Sequence, residues 1–253
     1  MALAGNRWRF FFGDAPQNVR APGQGYFWPM REKSLRVFLL CALVMALPGL
    51  CAHFALGRFA LHMALNDFHD RFLDLVFPFV TELANGWVPA ILAVALLARD
   101  WRSFLMMGLS TGVSAILVQS LKHFVFGGHD RPTMYLEQMP GLKLVAGTDF
   151  HHHFSFPSGH STAAFSMCLA LAVIIARKGP AMLLAVFAAL LAFSRVYLSQ
   201  HFTEDILAGA FLGCLTGTAA YVLLYRSKWG SGPALDGSPF RRPRTSSGHR
   251  WRP

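Results

Sequence analysis

The chain has 253 residues, of which 54% are hydrophobic, and a formal net charge of +10 at pH 7. Its mean hydropathy is +0.39, and several apolar runs reach the roughly 20 residues that span a bilayer. The basic residues form short clusters between these runs, which indicates membrane topology and excludes a nucleic-acid-binding surface. The four cysteines lie inside apolar runs without a CxxC pair, so we expect neither a disulfide nor a zinc site.

The order of apolar runs predicts an all-α, polytopic membrane protein with six transmembrane helices. Residues 1–34 are polar and no apolar core follows Met1 at signal-peptide distance, so they predict a cytoplasmic N-terminal segment. An amphipathic segment (57–71) follows the first span, and prolines and glycine predict a bend in the second. The membrane domain is predicted at 35–225 and a disordered basic tail at 226–253. The six predicted spans are 35–56, 72–98, 103–126, 158–176, 181–198 and 202–225.

The charges between the spans predict how the chain is oriented. With simple up-and-down threading, the face that holds both termini carries 17 of the 23 Lys and Arg residues. By the positive-inside rule both termini are cytoplasmic. Three polar clusters, at 122–132, 157–160 and 194–205, then fall on the opposite face. We therefore expect them to form one site outside the cytoplasm, in a bacterial inner membrane.

The polar clusters contain the side chains that a phosphate group requires. One lysine and two arginines supply donors for phosphate oxygens. The fourth predicted span opens with Pro157-Ser158-Gly159-His160, where free backbone amides favour an anion and glycine permits close approach. The set of candidate residues consists of Lys122, Arg131, Ser158, Gly159, His160, Arg195, His201 and Asp205.

Two histidines in this set suggest a division of labour. His201 and Asp205 are four residues apart, which on a helix places them on one face within hydrogen-bond reach. A carboxylate on one ring nitrogen leaves the other free to act as a nucleophile on phosphorus, while His160 donates a proton to the leaving oxygen. No paired carboxylates accompany them, so we expect cationic side chains to balance the charge, with no metal and no cofactor.

Two of these patterns resemble signatures of a known family. Pro157-Ser158-Gly159-His160 and Ser194-Arg195-x5-His201-x3-Asp205 are similar to the second and third signatures of the type 2 phosphatidic acid phosphatase (PAP2) superfamily. That superfamily also contains the vanadium-dependent haloperoxidases. The resemblance implies a PAP2-like helical bundle in which His201 forms a phosphohistidine, Asp205 orients it and His160 is the general acid. It also implies that the phosphate is held by Lys122, Arg131, Ser158, Gly159 and Arg195.

The first family signature is present with a departure in its spacing. In the family the pattern is Lys-x6-Arg-Pro, whereas eight residues separate Lys122 from Arg131-Pro132. Gly127-Gly128 can absorb two extra residues, and no other lysine lies nearby. We therefore expect a bulge at the two glycines that keeps Lys122 in the site.

Further histidines invite other interpretations. Three consecutive rings, His151 to His153, cannot all point at one ion, so a solvated loop is favoured over a metal site. His62 and the other isolated histidines are interpreted as interfacial residues.

The sequence thus predicts an integral membrane phosphatase that hydrolyses a lipid phosphomonoester or pyrophosphate at the outer membrane face. We expect the substrate and the membrane lipids to be its partners, with no nucleic acid and no obligate protein. Phosphatidate, phosphatidylglycerol phosphate, undecaprenyl pyrophosphate and lipid A phosphates all fit the residues. Two alternatives stay open: a phosphotransferase that passes the phosphoryl group to a second lipid, and an oxidoreductase that binds vanadate in the same pocket.

Overall fold

A computed structural model describes residues 28–230 and 232–240, and the regular secondary structure of this part of the chain is all helical, without a strand. The predicted all-α class is therefore confirmed. The last α-helix of the chain is followed directly by a π-helical stretch, Val222–Arg226, and short 3-10 turns lie at Pro132–Met134 and Pro233–Leu235. The helices are α1 (Trp28–Leu56), α2 (Arg58–Asn66), α3 (Arg71–Glu82), α4 (Trp87–Leu96), α5 (Trp101–Phe124), α6 (Gly159–Ile175), α7 (Lys178–Tyr197) and α8 (Thr203–Tyr221).

The predicted number of six spans is not reproduced in full. Among the described residues four helices are long and apolar enough to cross a membrane: α1, α5, α7 and α8 with its π-helical end. A fifth span is obtained if α3 and α4 are counted together, and these two helices are bent by 53° at the break between them. The predicted bend in the second span is thus present. The fourth predicted span corresponds to α6, which has only 17 residues.

Helix α6, although short, is the centre of the bundle. It packs against α5, α7, α8 and α1, and most of its residues are buried. The contact with α8 is close because three glycines, Gly209, Gly213 and Gly217, face it at four-residue intervals. A Cβ atom at Gly209 would lie 2.5 Å from the Ser158 carbonyl oxygen, and one at Gly213 would lie 2.6 Å from that of Thr162. Small residues at this spacing let helix backbones approach closely in membranes.

The outer surface of the bundle is apolar. Large hydrophobic side chains point outward from most of the surrounding helices, at two-thirds exposure or more. A water-soluble fold seldom leaves so much apolar surface uncovered, whereas lipid tails accommodate it. Examples are Phe54, Phe79, Ile116, Leu183 and Phe211.

The first helix begins earlier than the sequence indicates. Helix α1 starts at Trp28, seven residues before the predicted boundary at 35. Its first turns contact the core, since Arg31 Nη1 donates a hydrogen bond to the Val173 carbonyl oxygen at 2.8 Å. Residues 28–34 therefore belong to the bundle, and the rest of the predicted N-terminal segment, 1–27, lies outside the described residues.

The predicted disordered tail is also partly folded. The guanidinium of Arg102, at the start of α5, donates to the carbonyl oxygens of Leu224, Gly230 and Gly232 and pairs with Asp236. The last carbonyls of a helix lack intrahelical partners, and Arg102 satisfies that of Leu224. Residues 232–240 are thereby held against α5, and the predicted tail residues 241–253 lie outside the described part.

Replacing Arg102 with alanine should destabilise the protein without altering the other end of the bundle. Several hydrogen bonds from a buried charged group are lost, so we expect the free energy of unfolding to fall by about 3 kcal/mol. Thermal unfolding of the detergent-solubilised protein measures this change. Arg226→Ala is a matched control, because its ion pair with Glu32 is half-exposed and should contribute less than about 1 kcal/mol. Equal unfolding midpoints for the two variants would contradict the anchoring role of Arg102.

Candidate active site

The three polar clusters meet at one end of the bundle, where α5 and α7 end and α6 and α8 begin. The backbone N–H of Ser158 donates to the Asp205 carbonyl oxygen at 3.0 Å, which joins the second cluster to the third. Arg131 Nη1 donates to the Oε1 atom and the carbonyl oxygen of Gln200, at 3.0 and 3.3 Å, which joins the first cluster to the third. Six of the eight candidate residues are at most 8% exposed: Lys122, Arg131, Ser158, Arg195, His201 and Asp205.

The end of α7 sets the distance between Arg195 and His201. The carbonyl oxygen of Arg195 accepts hydrogen bonds from the N–H groups of Gln200 (2.9 Å) and His201 (3.2 Å). The chain can turn back in this way because Ser199 adopts a left-handed conformation with φ +51°. Arg195 is therefore held beside His201 by the backbone, and the five intervening residues form one compact helix end.

The expected helical pairing of His201 with Asp205 is realised in a different way. His201 does not lie on a helix, because it precedes the N-cap residue Phe202 of α8. Asp205 is at the third position of α8 and its side chain folds back to accept the N–H of Phe202 at 2.9 Å. The same Oδ2 atom lies 3.3 Å from His201 Nδ1. The four-residue spacing thus arises from helix capping rather than from a shared helix face.

One serine that the sequence did not single out completes this group. Ser155 Oγ donates to Asp205 Oδ2 at 2.5 Å and lies 3.3 Å from His201 Nδ1. Asp205 Oδ2 therefore accepts from Phe202, Ser155 and His201. With Nδ1 as the donor, His201 Nε2 has no hydrogen-bond partner among residues 28–230 and 232–240. An isolated serine in a loop carries no pattern that could have identified it.

The surroundings of His201 favour the neutral form of its imidazole. Burial lowers the pKa of His201 well below its usual value, and the nearby charges of Arg131, Arg195 and Lys122 lower it further. A neutral imidazole whose Nδ1 proton is held by a carboxylate is the form in which Nε2 carries a free lone pair.

The start of α6 is suited to an anion. Ser158 is its N-cap and accepts the Ser161 N–H at 3.4 Å, so its own hydroxyl proton can donate elsewhere. A Cβ at Gly159 would meet only the side chain of Val118, at 3.8 Å, so helix packing does not require the glycine. His160 occupies the second position of the helix, where unpaired backbone N–H groups and the helix dipole favour negative charge.

Arg195 reaches the site with an unused donor. Its Nη1 donates to Thr81 Oγ1 at 3.0 Å, which ties it to the end of α3. Its Nε is buried and has no hydrogen-bond partner in the described part of the chain. A buried guanidinium N–H without an acceptor is costly unless a ligand supplies one.

The two extra residues between Lys122 and Arg131 form a tight turn. The His129 N–H donates to the Phe126 carbonyl oxygen at 3.2 Å, so Gly127 and Gly128 are the two central residues of a turn. Lys122 remains 8% exposed at the end of α5 and makes no hydrogen bond within the described residues. It lines a pocket of about 410 Å³ together with Arg131.

His62, expected at the interface, is instead buried beside the site. It is 1% exposed, its Nε2 lies 3.2 Å from Ser199 Oγ, and its ring packs edge-on against Phe202. Burial lowers its pKa to about 4. The helix that carries it, α2, packs against α7 and α8, and a lone histidine on an amphipathic segment gives no sign of such burial.

Two histidines of the triplet have different side-chain partners. His153 Nδ1 is paired with Asp130 at 2.7 Å, and His152 Nδ1 lies 3.3 Å from Thr133 Oγ1. Within the described residues no group of three His, Cys, Asp or Glu side chains is arranged to hold a metal ion. The backbone carbonyls of His152 and His153 accept hydrogen bonds from Arg131, so the triplet supports that arginine.

Comparisons with known proteins find relatives that agree with one another. The putative undecaprenyl-diphosphatase YbjG of Escherichia coli is 32% identical over 171 residues, 64% of this chain and 79% of that protein. The lipid A 4'-phosphatase of Porphyromonas gingivalis is 36% identical over 179 residues, 67% of this chain and 74% of that protein. The crystal structure of Aquifex aeolicus LpxE superposes with a TM-score of 0.56 at 25% identity, covering 64% of this chain and 93% of the other.

The family model described as the PAP2 superfamily matches residues 103–229, which include all eight candidate residues. The two similar proteins from Escherichia coli and Porphyromonas gingivalis are named as phosphatases, and Aquifex aeolicus LpxE shares the helical architecture. The apolar outer surface agrees with an integral membrane protein. The chain belongs to the PAP2 superfamily of phosphatases.

Proposed function

We propose that this protein hydrolyses a lipid phosphate through a phosphohistidine on His201. The observation that carries the proposal is the state of this imidazole: Asp205 engages Nδ1, and Nε2 is left without a partner in the described residues. The charges of Arg131, Arg195 and Lys122 act on the same ring. A nucleophile held by a carboxylate and surrounded by cations suits attack on a phosphate group.

The reaction proceeds in two steps. Nε2 of His201 forms a bond to phosphorus as the bond between phosphorus and the leaving oxygen breaks, and His160 donates a proton to that oxygen. Water then attacks the phosphohistidine, with the deprotonated His160 accepting its proton, and inorganic phosphate is released. Ser158, the amide at Gly159 and the three cationic side chains hold the phosphate oxygens in both steps.

The proposal includes independence from metal ions. Negative charge on the phosphoryl oxygens increases toward the transition state, and Lys122, Arg131 and Arg195 are buried where their attraction is only weakly screened. Three fixed cations can supply the stabilisation that a magnesium ion supplies elsewhere.

A substrate with a tail in the bilayer is supported by an apolar cavity next to the site. This cavity, of about 230 Å³, lies between α1, α6, α7 and α8, and its wall includes Thr203, two residues from His201. The names of the relatives refer to undecaprenyl diphosphate and to lipid A, both lipid phosphates. We therefore propose a lipid phosphomonoester or diphosphate as the substrate class.

The proposal extends to topology and domain limits. With 17 of 23 Lys and Arg residues on the side of the termini, we place both termini in the cytoplasm and the site on the outer face of a bacterial inner membrane. The catalytic domain is proposed at 35–225, extended to Trp28 by the observed start of α1.

Replacing either histidine tests the chemistry. His201→Ala should abolish phosphate release from lipid phosphates and remove any acid-labile phosphoenzyme, since no other nucleophile is in place. His160→Ala should turn over slowly but accumulate the phosphoenzyme from a substrate with a good leaving group, which needs no proton. Rapid quenching with labelled substrate in excess chelator measures both. A phosphoenzyme in the His201 variant, or loss of wild-type activity that magnesium restores, would refute the mechanism.

Lys122→Ala tests the member of the site with the unusual spacing. Loss of a charge-assisted contact that strengthens in the transition state should cost about 2–4 kcal/mol, which lowers turnover roughly 30- to 1000-fold. Lys143→Ala is the control, because the side chain of Lys143 is half-exposed and its ion pair with Asp67 is long, with 3.8 Å between Nζ and Oδ1. A variant lacking Gly127 and Gly128 should retain substantial activity, since the deletion restores the family spacing. A change below threefold for Lys122→Ala would remove it from the site.

Ser155→Ala tests the residue that the sequence did not reveal. Without its hydroxyl, Asp205 and His201 lose one fixed contact, so we expect kcat to fall about tenfold with little change in KM. Ser161→Ala is the control, because this buried hydroxyl bonds only a backbone carbonyl, that of Ile206 at 2.6 Å. An equal effect of both substitutions would show that Ser155 acts on folding and not on His201.

A further inference from the structure

Helix α3, the first half of the bent span, is attached along its length to the end of α7 that borders the candidate site. Near its start, Asp74 Oδ1 accepts the Tyr197 hydroxyl at 2.6 Å. In its middle, the ring of Phe77 packs on that of Tyr197, with centroids 4.6 Å apart. At its end, Thr81 Oγ1 accepts Arg195 Nη1 at 3.0 Å. Helix α3 therefore follows the last turn of α7, which carries Arg195.

Thr81 is the residue at this end of α3 that faces the bundle. It is 4% exposed, whereas the two residues that follow it, Glu82 and Leu83, are exposed. It lies next to the break at which α3 and α4 are bent by 53°. A hydroxyl in this place contacts the guanidinium directly, which sets Thr81 apart from the residues that act on the backbone of α7.

The contact with Thr81 leaves one edge of the Arg195 guanidinium available. Nη1 is engaged by the threonine hydroxyl. Nε is buried, and neither Nε nor Nη2 has an acceptor among residues 28–230 and 232–240. The N–H groups of Nε and Nη2 point in the same direction, and such a pair matches two oxygens of one phosphate group. The bond at Nη1 fixes the rotation of this edge.

The group that holds Arg195 is a hydroxyl and not a carboxylate. The neighbouring Glu82 is exposed, and its Oε2 accepts Asn85 Nδ2 at 3.1 Å. In the part of the chain that the structure describes, no carboxylate forms an ion pair with Arg195. A neutral acceptor orients the guanidinium without compensating its charge, so the full attraction remains for an anionic ligand.

We propose that Thr81 is a positioning residue, which orients Arg195 so that Nε and Nη2 bind two oxygens of the phosphate group under attack. This assignment rests on the proposed phosphatase function. Without the hydroxyl, Nη1 is a buried donor with no acceptor, and the guanidinium is free to rotate away from the phosphate. Because its contact strengthens as negative charge develops, Thr81 contributes to kcat more than to KM.

Two substitutions separate the hydrogen bond from packing. Thr81→Val keeps the shape of the side chain and removes the oxygen, whereas Thr81→Ser keeps the oxygen and removes a methyl group. The probe is vanadate, which mimics five-coordinate phosphorus and is titrated into the full-length protein in detergent by calorimetry. We expect its Kd to rise about tenfold for Thr81→Val and to stay within about twofold of the wild type for Thr81→Ser.

Thr216→Val is the matched control. This threonine is also buried in the bundle, at 6% exposure, but its hydroxyl bonds carbonyl oxygens of its own helix, those of Leu212 and Gly213. The same loss of an oxygen there should leave the Kd of vanadate within about twofold. With a lipid phosphate as substrate, kcat should fall about tenfold for Thr81→Val alone, and KM should change less than about twofold.

Wild-type affinity for vanadate in Thr81→Val would overturn the proposal. An equal loss of affinity in Thr81→Ser would also overturn it, because packing of the methyl group would then be the cause. The Kd does not depend on how much of a variant is folded, so partial misfolding does not imitate the expected result. A wild-type protein that binds vanadate but releases no phosphate would refute the proposed function and leave the role of Thr81 standing. Absence of vanadate binding by the wild type would refute both.

Discussion

The site depends on a single carboxylate oxygen. Asp205 Oδ2 accepts hydrogen bonds from the Phe202 N–H, the Ser155 hydroxyl and His201 Nδ1. The first of these starts α8, the second attaches the loop that precedes α6, and the third orients the imidazole. Helix initiation, loop docking and orientation of the proposed nucleophile thus share one acceptor, which is almost completely buried. Local folding and chemistry cannot be separated at this position.

Around this point the backbone does much of the positioning. Ser158 is tied to α8 through the Asp205 carbonyl, and Arg195 is tied to His201 through its own carbonyl. Arg131 is held between the triplet backbone and Gln200. The cationic side chains therefore reach the proposed phosphate site from segments that are already hydrogen-bonded to one another. Such preorganisation lowers the reorganisation needed when negative charge develops.

The sequence predicted the architecture where its signals are collective. The lengths of the apolar runs identified the helices. The distribution of charge between them predicted that Lys122, His160 and His201 lie at one end of the bundle. It did not reveal Ser155, His62 or Thr81, because a single polar residue in a loop or on an amphipathic helix has no periodicity. The early start of α1 was missed because residues 28–34 are rich in charge, although Arg31 reaches the core. The folded start of the tail depends on Arg102, a contact between residues more than 120 apart in sequence.

The helix end between Arg195 and His201 also limits how the chain can vary in length. Both Gln200 and His201 donate to the carbonyl of Arg195 through a turn that needs a left-handed Ser199, so an added residue would pull His201 away from Arg195. The turn at Gly127-Gly128 is closed by a single backbone hydrogen bond, from His129 to Phe126, and Lys122 lines its pocket with the two extra residues present. In this chain we therefore expect a change in length to be tolerated between Lys122 and Arg131 and not between Arg195 and His201.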